Sequence, residues 1–426
     1  MKRFIVFLAV VVFNTAIYGQ CPKTKYGIVP VWPQGWTLAD KENWYQTMSD
    51  NGMGYLHSVY TWFDLDQVIN IGQLNAHTDY IQHLKDDYGF SFHLLLRNPS
   101  LTNNAIPTAY QGMTFEDMVL TKAFYDFSVS MIDSFANVLD YLTIGGESDH
   151  YFELHPSEMD EYVNVLSNIA DYVHTNYSHI KFATTLTLYH GVLDNDTLWQ
   201  KTKGFSDMLS VTYWPLEQDF TVDSTAITDI SKVISDIINA AEGKPVIIKE
   251  AGLPSSTSTN SSELQQAQFV EELFRNTLNI NQIEIVGWDF LADYNLTAID
   301  YWVNFQQIYS PEFRAYIGSL GLLDTLGNAK PAYTSYLNML DSVCNITSIQ
   351  THEDIGNIVV YPNPSNRIFK IQSDNFLKVQ VFNIQGEMIY ETRKNEINLE
   401  KSPTGTYILK IVSNDKEINK KIILLN

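Results

Sequence analysis

Lys244-Pro245-Val246-Ile247-Ile248-Lys249-Glu250-Ala251-Gly252-Leu253-Pro254 is the stretch on which the fold turns. After Lys244-Pro245 three β-branched residues follow without a polar break, and Lys249-Glu250 before Ala-Gly-Leu-Pro closes the run. A short apolar run bounded by turn residues reads as a strand buried on both faces, as in a parallel sheet covered by helices. The same form recurs on both sides of it. Tyr26 to Val31, Gly54 to Tyr60, Phe90 to Leu96, Leu139 to Gly145, Ile180 to Thr187, Met208 to Tyr213 and Ile283 to Phe290 bring the strands to eight. Amphipathic stretches separate them, among them Gly72 to Lys85, Phe115 to Phe135, Pro156 to Val173, Ile227 to Ala241 and Glu263 to Leu278. Ser262, three positions before Gln265, is placed to form a capping box for the last of these. Eight strands alternating with helices predict an α/β fold, a (β/α)8 TIM barrel. A doubly wound sheet is disfavoured, because no G-x-G-x-x-G follows the first strand and there is no P-loop.

Charge divides the chain. Its 426 residues hold 27 Lys+Arg and 49 Asp+Glu, a net charge of -22. Ten basic and nine acidic residues fall from His352 onward, and Lys2 and Arg3 lead the chain, so residues 20–351 hold 15 against 40, or -25. That balance argues against a nucleic-acid partner, which needs clustered Lys and Arg. It also disfavours an anionic ligand relative to a neutral one, since like charges repel.

Met1-Lys2-Arg3 and the apolar run Phe4 to Ile17 read as a signal peptide over residues 1–19, cleaved before Gln20. No other apolar stretch is long enough to span a bilayer, so a secreted or outer-surface protein without an integral segment after signal removal is expected, as a monomer. The two cysteines, Cys21 and Cys344, flank the barrel region. A closed barrel brings its first and last elements together, and export permits a disulfide between them.

After a linker at 346–354, residues 355–426 change character, with short alternating strands and turns that predict a small all-β sandwich domain following the barrel over 20–345. Tyr361-Pro362-Asn363-Pro364-Ser365, Val381-Phe382-Asn383-Ile384-Gln385-Gly386 and Pro403-Thr404-Gly405-Thr406-Tyr407 resemble the carboxy-terminal sorting domain of type IX secretion cargo. The resemblance implies a partner in the secretion machinery and passage through the outer membrane.

Chemistry on a TIM barrel sits at the carboxyl ends of its strands. Two of the eight end on a glutamate: Tyr141-Leu142-Thr143-Ile144-Gly145-Gly146-Glu147-Ser148-Asp149-His150 and the stretch quoted first. A pair of carboxylates flanking a cleft is what glycoside hydrolysis needs, about 5 to 5.5 Å apart for retention and about 6.5 to 9.5 Å for inversion. From Tyr26 to about Tyr336 the chain resembles glycoside hydrolase clan A, the retaining β-glycosidases. The resemblance implies Glu147 as acid/base, Glu250 as nucleophile, Tyr213 as the tyrosine that hydrogen-bonds the nucleophile, and Trp288 as the floor of the sugar site. Gly321-Leu322-Leu323-Asp324-Thr325-Leu326-Gly327-Asn328-Ala329-Lys330-Pro331-Ala332-Tyr333 is similar to the clan's closing segment. One position departs from the pattern: the clan carries Asn before its acid/base, where it contacts the sugar 2-hydroxyl, and this chain has Gly146. That departure sustains the alternative of a non-catalytic glycan-binding barrel.

Trp32, Trp62, Trp214 and Trp288 fall at strand ends, where their faces could pave a carbohydrate cleft, and Arg97 follows the third strand, where it could orient a carboxylate or pair with an acid of the scaffold. His150 and His190 also fall near strand ends and read as scaffold. No H-E-x-x-H or Cys/His cluster points to a metal, no cofactor motif appears, and no G-x-S-x-G points to an esterase. Asp64-Leu65-Asp66 lacks the glycine and terminal glutamate of a calcium loop.

Overall fold

A computed structural model of the chain describes residues 24–63, 71–101, 104–345 and, with short interruptions, 359–424. The expected signal segment 1–19, Cys21, Asp64-Leu65-Asp66, the linker 346–354 and the side chain of Cys344 lie outside the described residues. Residues Gln20–Cys344 form one compact unit, and the tail from Asn345 belongs to another.

Eight parallel strands pair in chain order into a closed barrel: β1 (Lys25–Ile28), β2 (Tyr55–Tyr60), β3 (Ser91–Ser100), β4 (Tyr141–Gly146), β5 (Lys181–Thr187), β6 (Leu209–Tyr213), β7 (Val246–Ala251) and β8 (Ile283–Trp288). Closure runs through β1 and β8, from Lys25 opposite Ile285 to Ile28 opposite Trp288. Around them lie α1 (Leu38–Asp50), α2 (Ile71–Tyr88), α3 (Met118–Phe135), α4 (Ser148–Leu154), α5 (Met159–Asn176), α6 (Thr197–Thr202), α7 (Ile230–Ala240), α8 (Glu263–Thr277), α9 (Leu296–Gln306), α10 (Pro311–Ile317) and α11 (Pro331–Asn345). The Tyr336 hydroxyl of α11 donates to the Gly27 carbonyl of β1 at 2.9 Å, so the last helix seals the first strand.

Helix starts follow local chemistry. Ser262 caps α8 through the Gln265 amide at 3.2 Å, but the Gln265 side chain turns to the Ser262 hydroxyl at 3.3 Å instead of completing the expected box. The complete box is at α1, where Thr37 and Asp40 satisfy each other's backbone groups.

The barrel is plugged at one level by Tyr55, Tyr141, Ala183, Met208, Ile247 and Ile285, a buried cluster of its own. Next to it lies a polar level: the Tyr55 hydroxyl meets His93 Nδ1 at 2.7 Å, and His93 Nε2 meets Thr143 at 2.8 Å. Burial holds the His93 pKa well below its ordinary value, so the ring is neutral.

Strand β7 is bulged. On one side Val211 pairs with Ile248 and Thr212 with Glu250, skipping Lys249; on the other, Ile248 pairs with Val286 and Ala251 with Trp288. An extra residue breaks the two-residue alternation, so consecutive side chains can face the same way. The bulge presses the Lys249 carbonyl against Gly287, where a Cβ would lie 2.2 Å from that oxygen. Gly287→Ala is therefore expected to lower unfolding free energy by about 1–3 kcal/mol, seen as a lower urea midpoint at unchanged m.

The tail forms two antiparallel sheets. One, in the order β13-β10-β9, joins β9 (Val359–Tyr361), β10 (Ile368–Gln372) and β13 (Glu396–Asn398). The other, β12-β11-β14-β15, joins β11 (Phe376–Phe382), β12 (Met388–Thr392), β14 (Gly405–Ser413) and β15 (Glu417–Leu424). Phe369 and Ile371 of the first pack in one core with Val379, Val381, Leu409 and Ile411 of the second.

Candidate active site

A cavity of about 440 Å³ opens at the carboxyl ends of the strands and is lined by both glutamates that the sequence singled out. Glu147 follows β4 and caps α4 with φ 57° and ψ 43°, a left-handed conformation for a residue that has a side chain. Such a conformation costs about 1–3 kcal/mol and collects at functional sites. Glu147 Oε1 accepts from the Thr212 hydroxyl at 2.7 Å and from Trp214 Nε1 at 3.1 Å. Burial, and then the Glu250 charge, raise the Glu147 pKa above the usual carboxylate range.

Glu250, 5% exposed, behaves oppositely. Burial alone would raise its pKa, but Lys249, His57 and Arg97 outweigh it and hold the carboxyl well below the ordinary range. Lys249 Nζ contacts Glu250 Oε1 directly. Arg97 Nη2 approaches the same oxygen at 3.6 Å and His57 Nε2 at 3.4 Å. His57 is neutral, because burial and the Lys249 charge pull its pKa down to about 4.

A third carboxyl, Asp289, follows β8 and lines the same cavity. Burial and the Glu250 charge push its pKa well above the usual value. The wall opposite is aromatic. Phe290 and Tyr294 come from the segment after β8, Tyr301 and Trp302 from α9, Phe313 and Tyr316 from α10, and Trp214 from the end of β6. The Arg97 guanidinium lies over Trp302 at 5.6 Å from the ring centre.

Of the residues expected here, Glu147, Glu250, Arg97 and Trp214 meet in the cavity, and Tyr213, Trp62 and Trp288 are not among its lining. For Tyr213 and Trp288 the reason is a phase of one residue, since side chains alternate along a strand. Thr212 reaches Glu147, so Tyr213 turns outward to rings of Tyr189 and Phe269, at 6.1 and 5.7 Å. Gly287 faces the Tyr55 ring inside the barrel, so Trp288 turns out, packs on Phe269 and donates to the Leu320 carbonyl at 3.2 Å. Thr61 lines the cavity, while Trp62 stacks on Phe127 at 5.3 Å. Trp32 lines a smaller cavity of about 190 Å³, which shares Pro30, His57 and Ser58 with the larger one.

The adjacent Asp149 and His150, with His190 from the segment after β5, form the group of potential metal ligands found among the described residues. The two imidazoles lie stacked, with centres 4.4 Å apart and planes 15° from parallel. A metal ion sits in the plane of each imidazole that binds it, so rings stacked this way do not converge on one ion. His190 instead bridges Asp149 at 3.2 Å and Glu153 at 3.0 Å, and the Asp149 hydrogen bond leads the effects that push its pKa up to about 8.

The barrel's fold is shared with solved glycosidase structures. One is a GH5_18 protein from Bifidobacterium longum subsp. infantis, with TM-score 0.58 and 16% identity, covering 79% of this chain and 81% of that one. Another is a GH5_18 protein from Streptomyces cattleya in complex with GlcNAc, with TM-score 0.58 and 15% identity, over 79% and 83% of the two chains. A third is the exo-β-1,4-mannosidase Op5Man5 from Opitutaceae bacterium strain TAV5, with TM-score 0.57 and 14% identity, over 76% and 60%. At these identities the likeness is one of fold. The tail matches the secretion system C-terminal sorting domain over residues 359–425. Ulvan lyase NLR42 of Nonlabens ulvanivorans is 33% identical over 81 residues, which span 17% of this chain and 15% of that protein.

Fold and tail together describe a closed TIM barrel, the fold those glycosidase structures share, that carries a C-terminal sorting domain. The sorting domain marks the protein for secretion or the outer surface. Among the described residues, no helix is long and apolar enough to cross a membrane.

Proposed function

We propose that the barrel is a retaining β-glycoside hydrolase acting on a neutral polysaccharide or oligosaccharide. One observation carries the reading: two glutamates share a cavity, and their surroundings drive their pKa values apart, Glu147 up and Glu250 down. That divergence is what separates an acid from a nucleophile at one pH. Glu250 attacks the anomeric carbon as protonated Glu147 gives its proton to the departing glycosidic oxygen. Glu147, now ionised, then takes a proton from water, which displaces Glu250 from the sugar. Lys249, Arg97 and His57 all approach Oε1 of Glu250, which leaves Oε2 for the substrate. Asp289, kept protonated, is placed to donate a hydrogen bond to a sugar hydroxyl. The aromatic wall supplies stacking faces.

The test is hydrolysis of a panel of neutral β-mannan, β-galactan and β-glucan oligomers, with the product anomer followed by NMR. Because one of the solved structures with this fold is an exo-β-1,4-mannosidase, β-mannosides head the panel. The β-anomer is expected first; an α-anomer first would overturn the retaining mechanism. A glycan-binding barrel without turnover is the second reading, on the ground of Gly146. It predicts binding to the same panel and no hydrolysis.

A further inference from the structure

We infer that Lys249 is the positioning residue that holds the Glu250 carboxylate, in place of the hydrogen bond the family resemblance had given to Tyr213. The inference rests on the proposed reading of Glu250 as nucleophile. Its ground is the bulge in β7, which inserts Lys249 between the pairs Val211–Ile248 and Thr212–Glu250. In a regular strand the residue before an inward glutamate points outward. Here Lys249 turns in with its neighbour, is fully buried, and places Nζ on Glu250 Oε1. Gly287 on β8 has no side chain where the displaced Lys249 carbonyl passes, so the neighbouring strand is cut to fit the bulge. Tyr213 is directed to the opposite side of the sheet, into the rings of Tyr189 and Phe269.

Other groups face Glu250 and set the background. His57 comes from β2 and Arg97 from β3, both on Oε1. Glu147 after β4 and Asp289 after β8 add like charge or neutral acid, and Tyr294 and Tyr316 stand at the far wall. Tyr55 and His93 lie below and stay neutral. His57 is neutral as well, so the cations at the carboxylate are Lys249 and Arg97. Of the two, Arg97 stands at 3.6 Å, and Lys249 is in direct contact. Lys249 also leaves no open path for substrate to its amine, since it is not among the cavity's lining residues. Its effect therefore passes through Glu250.

The test is Lys249→Met in the full chain, a straight side chain of similar volume without the charge. Loss of an opposite charge at contact raises a carboxyl pKa by about 1–3 units. The acidic limb of kcat/KM is therefore expected to move up by about one pH unit or more, while Tyr213→Phe leaves that limb in place. An unmoved limb in folded Lys249→Met, or an equal shift in Tyr213→Phe, overturns the inference. The Glu250 carboxyl is also titrated directly by NMR of carboxyl-labelled glutamate, assigned by difference with Glu250→Gln. This readout is independent of turnover: a wild type that hydrolyses nothing sinks the glycosidase reading, and an unshifted carboxyl sinks the role of Lys249. If Lys249→Met does not fold, Lys249→Met/Glu250→Gln decides. Recovery of folding there supports charge compensation, and continued failure means that Lys249 only packs.

Discussion

Glu250→Gln is expected to reduce turnover by several orders of magnitude, on the order of 10⁴ to 10⁶, as loss of a covalent nucleophile does elsewhere. The fold should survive the change. Gln keeps the shape of the side chain, and burial already pulls the Lys249 pKa down, so the amine can lose its proton when its partner is gone. Unchanged circular dichroism with abolished hydrolysis is the expected pair of results. A second variant tells chemistry from damage. Glu250→Ala opens a space at the carboxyl ends of the strands into which azide can enter and attack the anomeric carbon from the vacated face. The expected product is a glycosyl azide of inverted configuration, formed at a rate that rises with azide concentration. A folded Glu250→Ala protein that still hydrolyses at the wild-type rate would remove Glu250 from the mechanism.

How much of this site was legible in the sequence follows from how each part is encoded. The barrel was legible, because eight apolar runs ending in turn residues leave a direct trace of burial on both faces. The two glutamates were legible because they stop such runs. The phase of a strand was not. Tyr213 and Trp288 sit one residue from positions that face the cavity, and a shift of one reverses the side. Thr212 beside Tyr213 and Gly287 beside Trp288 were the readable signs: a small or hydroxyl side chain next to a bulky aromatic marks the crowded interior of a barrel. Asp289 was in view beside Trp288 but is not apolar. Trp302, Tyr301 and Tyr316 come from α9 and α10, inserted between β8 and the closing segment, and no strand end points to them. The Lys249 bulge is a matter of register between strands, to which a single run of sequence is blind. His150 and His190 read as scaffold separately, and only the approach of α4 to the turn after β5 stacks them.

Gly146→Ala is expected to lower kcat/KM by about 10²-fold, the effect of misplacing a reacting group by about 1 Å. Gly146 is not among the residues with positive φ, so a side chain there meets no backbone penalty, and its effect is steric. A Cβ would lie 2.7 Å from Arg97 Cγ and 3.1 Å from its Nε. The arginine crosses the space above the glycine on its way to Glu250, 3.6 Å from Nη2, and to the face of Trp302. The asparagine usual in clan A at this position would collide with it. Glycine here is thus the complement of Arg97, and the two form one feature. If so, the substitutions are coupled. Arg97→Ala is expected to cost activity by itself, because it removes a cation beside Glu250, but Gly146→Ala should then add little, since the colliding side chain is gone. Neighbours that share one space show such non-additivity, whereas independent sites add. A cycle of the two single variants and the double, measured as kcat/KM on one substrate, reads the coupling directly. Additive losses would mean that Gly146 acts on something other than Arg97, and the missing asparagine would again need its own account.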